Sequence, residues 1–132
     1  VGTGAVSGSE VAPALSQNPK PVFKTLVTGG KSKNNYVFVI PVEKELNLKK
    51  AAKIVGEKSI DMLKSKDLLS LTGYIHGGCS PIGMKKFFKT VIDISAEDYD
   101  TIIFSAGKIG YQVEMSLSEL SKVIRFTTAD II

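Results

Sequence analysis

The 132-residue sequence contains no tryptophan, one cysteine, one histidine and one arginine. With Cys79 alone, an internal disulfide and a cysteine-based zinc site are excluded. With His76 alone, a multi-histidine metal centre is excluded. No apolar run approaches the ~18 residues that a membrane span needs. No basic start leads into an apolar stretch, so no secretory leader is expected, and a reducing cytoplasm is the expected compartment. Repeats, linkers and low-complexity tracts are also absent, which leaves a single domain over residues 1–132 as the expected organisation.

What is present is ordinary globular composition, with 43% hydrophobic and 23% charged residues, so disorder is excluded. A chain near this length buries roughly two-thirds of its extended surface on folding. Seventeen Lys and Arg face thirteen Asp and Glu, a formal charge of +4, and every cation except Arg125 is lysine. Such an excess is compatible with a polyanionic partner and equally with a plain solvated surface.

Residues 22–28 and 36–40 predict two strands, joined as a hairpin across the polar stretch 29–35. Asn47 is a good N-cap for a helix over 48–55 that stops at Gly56. Leu48, Ala51, Ala52 and Val55 share one face of that helix, with Lys49, Lys50 and Lys53 on the other side. Further strands are predicted at 59–63, 90–94, 101–105 and 111–115, with one more in the tail 125–132. Short helices are predicted after Ser7, over 66–71 capped by Ser65, over 96–99 capped by Ser95, and over 117–123. The last opens on a capping box made by Ser116 and Glu119. Hairpins mixed with helical crossovers predict an α/β (α+β) fold built on a mixed sheet.

Several residues are candidates for chemistry. Gly29-Gly30-Lys31-Ser32 resembles the end of a phosphate loop, but Thr25 stands where the first glycine is needed and a strand follows instead of a helix. A solvated hairpin turn accounts for it. His76 has no evident nucleophile or orienting group, and Cys79 needs a lowered pKa to be reactive. Lys24 shares its two-residue period with Val22 and Leu26 on an apolar strand. An unpartnered buried ammonium is costly, so Lys24 either keeps its head in water at a strand edge or points into a polar cavity. Gly77, Gly78 and Gly107 allow backbone to approach a ligand in such a cavity, and Ser105 at a strand end adds a hydroxyl.

Four spaced segments carry a resemblance: Phe23-Lys24-Thr25-Leu26, Leu48-Lys49-Lys50-Ala51-Ala52, Gly73-Tyr74 with Gly77-Gly78-Cys79-Ser80-Pro81-Ile82-Gly83, and Phe104-Ser105-Ala106-Gly107. In this order they resemble the YbaK/EbsC family of aminoacyl-tRNA deacylases, and the EbsC branch most closely. The family is similar to the editing domain inserted in bacterial prolyl-tRNA synthetases. The resemblance runs from about Ser7 to the C-terminus.

It implies a barrel-like mixed sheet with short helices, and hydrolysis of the ester between a wrong amino acid and the tRNA 3′ adenosine. Cysteine or alanine on tRNA for proline is the typical substrate. By resemblance Lys24 is the functionally required lysine, Gly77 holds the aminoacyl ester through its backbone, and Ser105 is a pocket serine. Thr25, Gly78, Ser80, Pro81 and Gly107 are expected to bind substrate. Lys49, Lys50, Lys53, Lys85 and Lys86 are expected to contact tRNA. In cysteine-specific members the substrate's own thiol attacks the ester carbonyl, so no protein nucleophile, cofactor or metal is expected. The expected partners are the 3′ acceptor end of aminoacyl-tRNA and, as a second candidate, prolyl-tRNA synthetase; no membrane partner is expected.

Two departures stand out. Family members usually begin with a further strand and helix carrying aromatic and histidine residues near the pocket, which this chain is expected either to lack or not to include. His76 also stands where an apolar or basic residue is usual. The competing reading is a non-catalytic binder of charged tRNA or of a synthetase through the same pocket.

Overall fold

The structure is a computed structural model that describes residues 21–63, 67, 72, 80–82, 88–107 and 111–132. Its centre is the hairpin of β1 (Phe23–Gly30) and β2 (Asn35–Pro41), paired antiparallel from Phe23 opposite Pro41 to Gly29 opposite Asn35. After the hairpin come α1 (Leu48–Val55), β3 (Ile60–Met62) and β4 (Lys89–Asp93). A 3-10 helix (Ile94–Asp98) leads to β5 (Ile102–Ser105) and β6 (Gln112–Met115), and then to α2 (Leu117–Ser121) and β7 (Thr127–Ala129).

The main sheet has five strands in the order β3-β1-β2-β4-β7. β1 is antiparallel to both neighbours, whereas β2, β4 and β7 run parallel, so the sheet is mixed as expected. β5 and β6 form a separate antiparallel ribbon, tied to β1 by one parallel bridge between Val22 and Ile103.

β2 is apolar on both faces because both are covered. Val37 and Val39 point into an interior cluster with Phe23 and Val27 of β1, Ile92 of β4, Ile102 and Phe104 of β5, and Leu120 of α2. Tyr36, Phe38 and Ile40 point to the opposite face, where Ala51 and Ala52 of α1 and Ile131 of the tail cover them. The ribbon thus turns its Ile102 and Phe104 side toward the interior face of the main sheet. This shared interior gives the barrel-like character that the resemblance implies.

Local signals hold where they are made within one turn. Asn47 Oδ1 accepts the N–H groups of Lys49 and Lys50 at 3.1 and 3.0 Å. Gly56 closes α1 in the left-handed region at φ +77°, where a side chain is unfavourable. The capping box of α2 is complete: Glu119 N–H donates to Ser116 Oγ and Ser116 N–H donates to Glu119 Oε1, both at 3.0 Å. These two bonds hold the Glu119 carboxyl below its ordinary range. α2 ends at Ser121, short of the expected Val123, as bonds tighten to Lys122 N–Glu119 O and Val123 N–Leu120 O.

The expected cap at Ser95 is corrected. Asp93 caps the 3-10 helix, its Oδ2 accepting from Ser95 N at 3.1 Å and Ser95 Oγ at 2.5 Å, while Oδ1 accepts from Ile131 N at 3.1 Å. Asp93 is buried, and a buried carboxylate must recruit donors; Ser95 is one of them and so cannot be the cap. The helix expected near Ser7 lies outside the described residues, as does all of 66–71 except Asp67.

A polar clasp ties the hairpin turn to the end of α1. Glu57 accepts from Ser32 N at 3.1 Å, from Ser32 Oγ, and from Tyr36 OH at 2.5 Å. The Ser32 hydroxyl, then the Tyr36 phenol, hold the Glu57 carboxyl below its ordinary range. The hydrogen bond to Glu57, then burial, push the Tyr36 phenol up. The Glu57 contribution is therefore present above the unfolded carboxyl pKa of about 4.3 and is lost as pH falls through the lower folded value. The Tyr36 contribution is present below about pH 10 and is lost as pH rises through its raised value.

Two outcomes are expected. Glu57→Gln should flatten the acid side of a plot of thermal midpoint against pH; an acid limb identical to the parent's would remove Glu57 from the account. Phe38→Ala empties a fully buried site and should cost about 3–5 kcal/mol in denaturant unfolding.

Candidate functional site

β1 binds β2 through the backbone groups of its even-numbered residues, as the bonds Val42 N–Val22 O (2.9 Å) and Gly30 N–Asn34 O (2.8 Å) show. Antiparallel pairing alternates, so the odd-numbered residues turn their N–H and C=O groups to the other edge. On that edge β5 meets the start of β1, with Ile103 N donating to Pro21 O at 2.9 Å. β3 meets its end, pairing with Thr28 to Gly30, and Leu63 N donates to Val27 O at 3.3 Å. Among the described residues no strand pairs with the edge between these contacts. The backbone of Thr25 therefore faces a slot between β5 and β3.

The sequence motif Lys24-Thr25 straddles this slot. Thr25 shares the interior side of β1 with Phe23 and Val27. Its Oγ1 is buried and has no hydrogen-bond partner among the described residues. An unsatisfied buried hydroxyl costs about 1–3 kcal/mol, so it marks a place where an incoming polar group would be welcome. Lys24 is half-buried on the other side of the strand, opposite Ile40 and in line with Leu26. No carboxylate among the described residues pairs with it. The two-residue period that grouped Lys24 with Val22 and Leu26 is the one observed.

Ser105 ends β5. Ile103 bridges Val22 in a parallel sense, and Ser105 lies two residues further along β5, on the same side of that strand as Ile103. Its Oγ accepts from Gly107 N at 3.2 Å, and Gly107 holds φ +101°, a conformation that favours glycine. Ser80 and Pro81 are buried, Ser80 Oγ accepts from Ile82 N at 3.2 Å, and Ile82 packs against the cluster that holds Phe23, Val27 and Phe104. This segment thus reaches the interior side of β1, where Thr25 points. Thr25 and the segment 80–82 are thus both linked to the interior side, Ile82 through its packing on the cluster, whereas Lys24 lies on the opposite side of β1. Gly77 and Gly78 lie outside the described residues, as do His76 and Cys79.

The lysines expected to contact tRNA separate into three groups. Lys49 and Lys53 are exposed on α1. Lys50 is engaged, donating to Asp130 Oδ2 at 3.0 Å and to the Ile132 carbonyl at 2.9 Å, which ties α1 to the tail. Lys85 and Lys86 lie outside the described residues.

Gln112 is one residue that sequence reasoning missed. It pairs across the ribbon with Ser105. Its only sequence signal is its alternation with the interior residue Val113. Among the described residues no group of three His, Cys, Asp or Glu side chains can hold a metal ion. Among them, too, no helix is long and apolar enough to cross a membrane.

Comparison with known proteins bears on the family and the fold. The aminoacyl-tRNA editing domain family matches residues 4–123. Over 111 residues the chain is 50% identical to EbsC of Enterococcus faecalis, a proposed Cys-tRNA(Pro)/Cys-tRNA(Cys) deacylase, covering 84% of this chain and 68% of that protein. It is 30% identical over 108 residues to a proline–tRNA ligase of Thermodesulfovibrio yellowstonii, covering 82% of this chain and 18% of the ligase. The crystal structure of a proposed trans-editing enzyme for prolyl-tRNA synthetase superposes with a TM-score of 0.85, over 98% of this chain and 81% of that one. At 22% identity that likeness bears on the fold alone. With nearly its whole length matched and half its aligned residues shared with one relative, the chain belongs to the aminoacyl-tRNA editing domain family, a family of aminoacyl-tRNA hydrolases.

Proposed function

We propose that this editing domain removes cysteine from mischarged tRNA for proline, using the substrate's own thiol. The observation that carries the proposal is the pair Lys24 and Thr25 at the slot: among the described residues, a cation with no paired carboxylate and beside it a buried hydroxyl with no partner. The identity to EbsC supports cysteine as the amino acid and tRNA for proline as its carrier.

The chemistry asks little of the protein's own side chains. The cysteinyl sulfur attacks the ester carbonyl and a C–S bond forms. The C–O bond to the ribose breaks, and the thiol proton ends on the departing ribose oxygen. Water then opens the cyclic thioester to free cysteine. A thiol of pKa ~8.5 is only a few per cent ionised at pH 7, so holding sulfur and carbonyl in attack geometry is the main service the site can offer. Thr25 offers a hydroxyl and outward-facing backbone groups for that purpose. Lys24 offers a positive charge for the developing oxyanion or for the 3′-terminal phosphate. Ser105, Gly107, Ser80 and Pro81 shape the walls, with Gly77 and Gly78 assigned to ester binding by resemblance.

The test is a deacylation time course with tRNA for proline charged in turn with cysteine, alanine and proline. Selective release of cysteine with turnover is expected. Release of alanine in preference would replace the thiol mechanism, and binding without release would make the domain a binder. Lys24→Ala should lower the rate about 100-fold or more while the circular dichroism spectrum stays that of the parent. Thr25→Val separates site from scaffold: removing the unpaired hydroxyl should leave the thermal midpoint unchanged or raised, while cysteine release falls. A midpoint that drops sharply would show that the hydroxyl serves the fold.

A further inference from the structure

We infer that a ridge of exposed lysines running along α1 to the far end of the β1–β2 hairpin grips the phosphates of the RNA substrate, with its hairpin end on the paired stem and away from the reacting ester; this rests on the editing function proposed above. The ridge comprises Lys31 and Lys33 in the hairpin turn, Lys58 after α1, and Lys49 and Lys53 along α1, all exposed.

The fold brings them together. Lys31 N donates to Ser59 O at 3.1 Å, which sets the hairpin turn beside Lys58. The Glu57 clasp on Ser32 and Tyr36 locks the same junction. α1 starts at the tail, where Asn47 N donates to Ile131 O at 2.8 Å, and ends at the hairpin turn. Lys49 and Lys53, one helical turn apart, therefore lead toward Lys58 and Lys31.

The charge is not neutralised locally. Among the described residues the ion pair on this face is Lys50 with Asp130, which leaves these five lysines untouched. Glu57 sits among them, but its oxygens are turned to Ser32 and Tyr36, and Asp61 on β3 is the other nearby acid. Two local preferences are also set aside. The first turn of α1 carries lysines and no acid, against the helix dipole, and Lys50 alone is compensated by Asp130 and a carbonyl. Lys33 holds φ +73°, where glycine or asparagine is easier. Sequences depart from local rules where another requirement competes, and RNA phosphate is the partner that a line of unpaired lysines fits.

The spacing selects the stem. From Lys24 to Lys31 is seven residues of extended chain, about 23 Å at ~3.3 Å per residue. At ~3.4 Å per stacked nucleotide this is about seven nucleotides from the reacting end. The hairpin lysines are therefore out of reach of the terminal adenosine and within reach of the duplex.

The test is the triple variant Lys31→Gln, Lys33→Gln, Lys58→Gln, with binding to uncharged full-length tRNA and to a CCA trinucleotide measured across a salt series. Losing three contacts should lower the slope of log affinity against log salt by about 2–3 and weaken tRNA binding about tenfold or more at low salt. Trinucleotide binding and the thermal midpoint should not change. An unaltered slope with tRNA, an equal loss with the trinucleotide, or a parent protein that does not bind tRNA would each overturn the inference. Because the probe is uncharged, failure of the deacylase assay leaves this result readable, and loss of the ridge leaves the deacylase assay readable on a short aminoacylated oligonucleotide.

Discussion

β1 is hydrogen-bonded to β2 through its even-numbered residues, and the rest of the molecule is arranged around that alternation. It sends Phe23, Thr25 and Val27 to the interior and Lys24, Leu26 and Thr28 to the side that α1 covers. It also leaves the backbone of the odd residues facing outward. β5 uses that edge at Val22 and β3 uses it from Val27 onward, so among the described residues the backbone of Thr25 lies in an interval that no strand pairs with. A one-residue slip would put Lys24 into the apolar interior, at a desolvation cost no local contact repays.

The polar ties are positional. Burial of aliphatic and aromatic side chains on both faces of β2 is the main favourable term, at about 1.5–3 kcal/mol for each large side chain. The Glu57, Asp93 and Lys50 contacts decide which way the covering segments lie. Asp93 fastens the tail so that Ile131 can cap the face under α1, and Lys50 fastens the start of α1 to the same tail. Exposed pairs such as Lys50 with Asp130 contribute about 0–1 kcal/mol, too little to drive folding but enough to select an orientation.

In the function proposed here the same economy applies. Lys24 has no paired carboxylate and Thr25 no hydroxyl partner among the described residues, and each is held by a strand that the core makes rigid. A site of this kind acts by placement, because the attacking sulfur comes with the substrate. The hairpin end of the lysine ridge, about 23 Å along the strand from Lys24, would orient the remainder of a large anionic substrate without touching the reacting bond.

The sequence alone determined the features whose partners lie within one helical turn or one strand period. The continuous apolar run at residues 36–40 marked β2, Asn47 and Gly56 bounded α1, and Ser116 with Glu119 opened α2, because each signal is completed by neighbours a few residues away. Motif order also nominated Lys24, Thr25 and Ser105 for the site proposed here. Tertiary structure alone decided what depends on distant partners. Asp93 displaced Ser95 as a cap because Ile131, 38 residues on, needed its carboxylate. Lys50 left the basic face of its helix because Asp130, 80 residues on, engaged it. Lys31 joined Lys58 because strand register carried the hairpin turn to the end of α1. The slot beside Thr25 has the same origin: it exists only because two strands far apart in sequence meet the same edge and leave an interval between them.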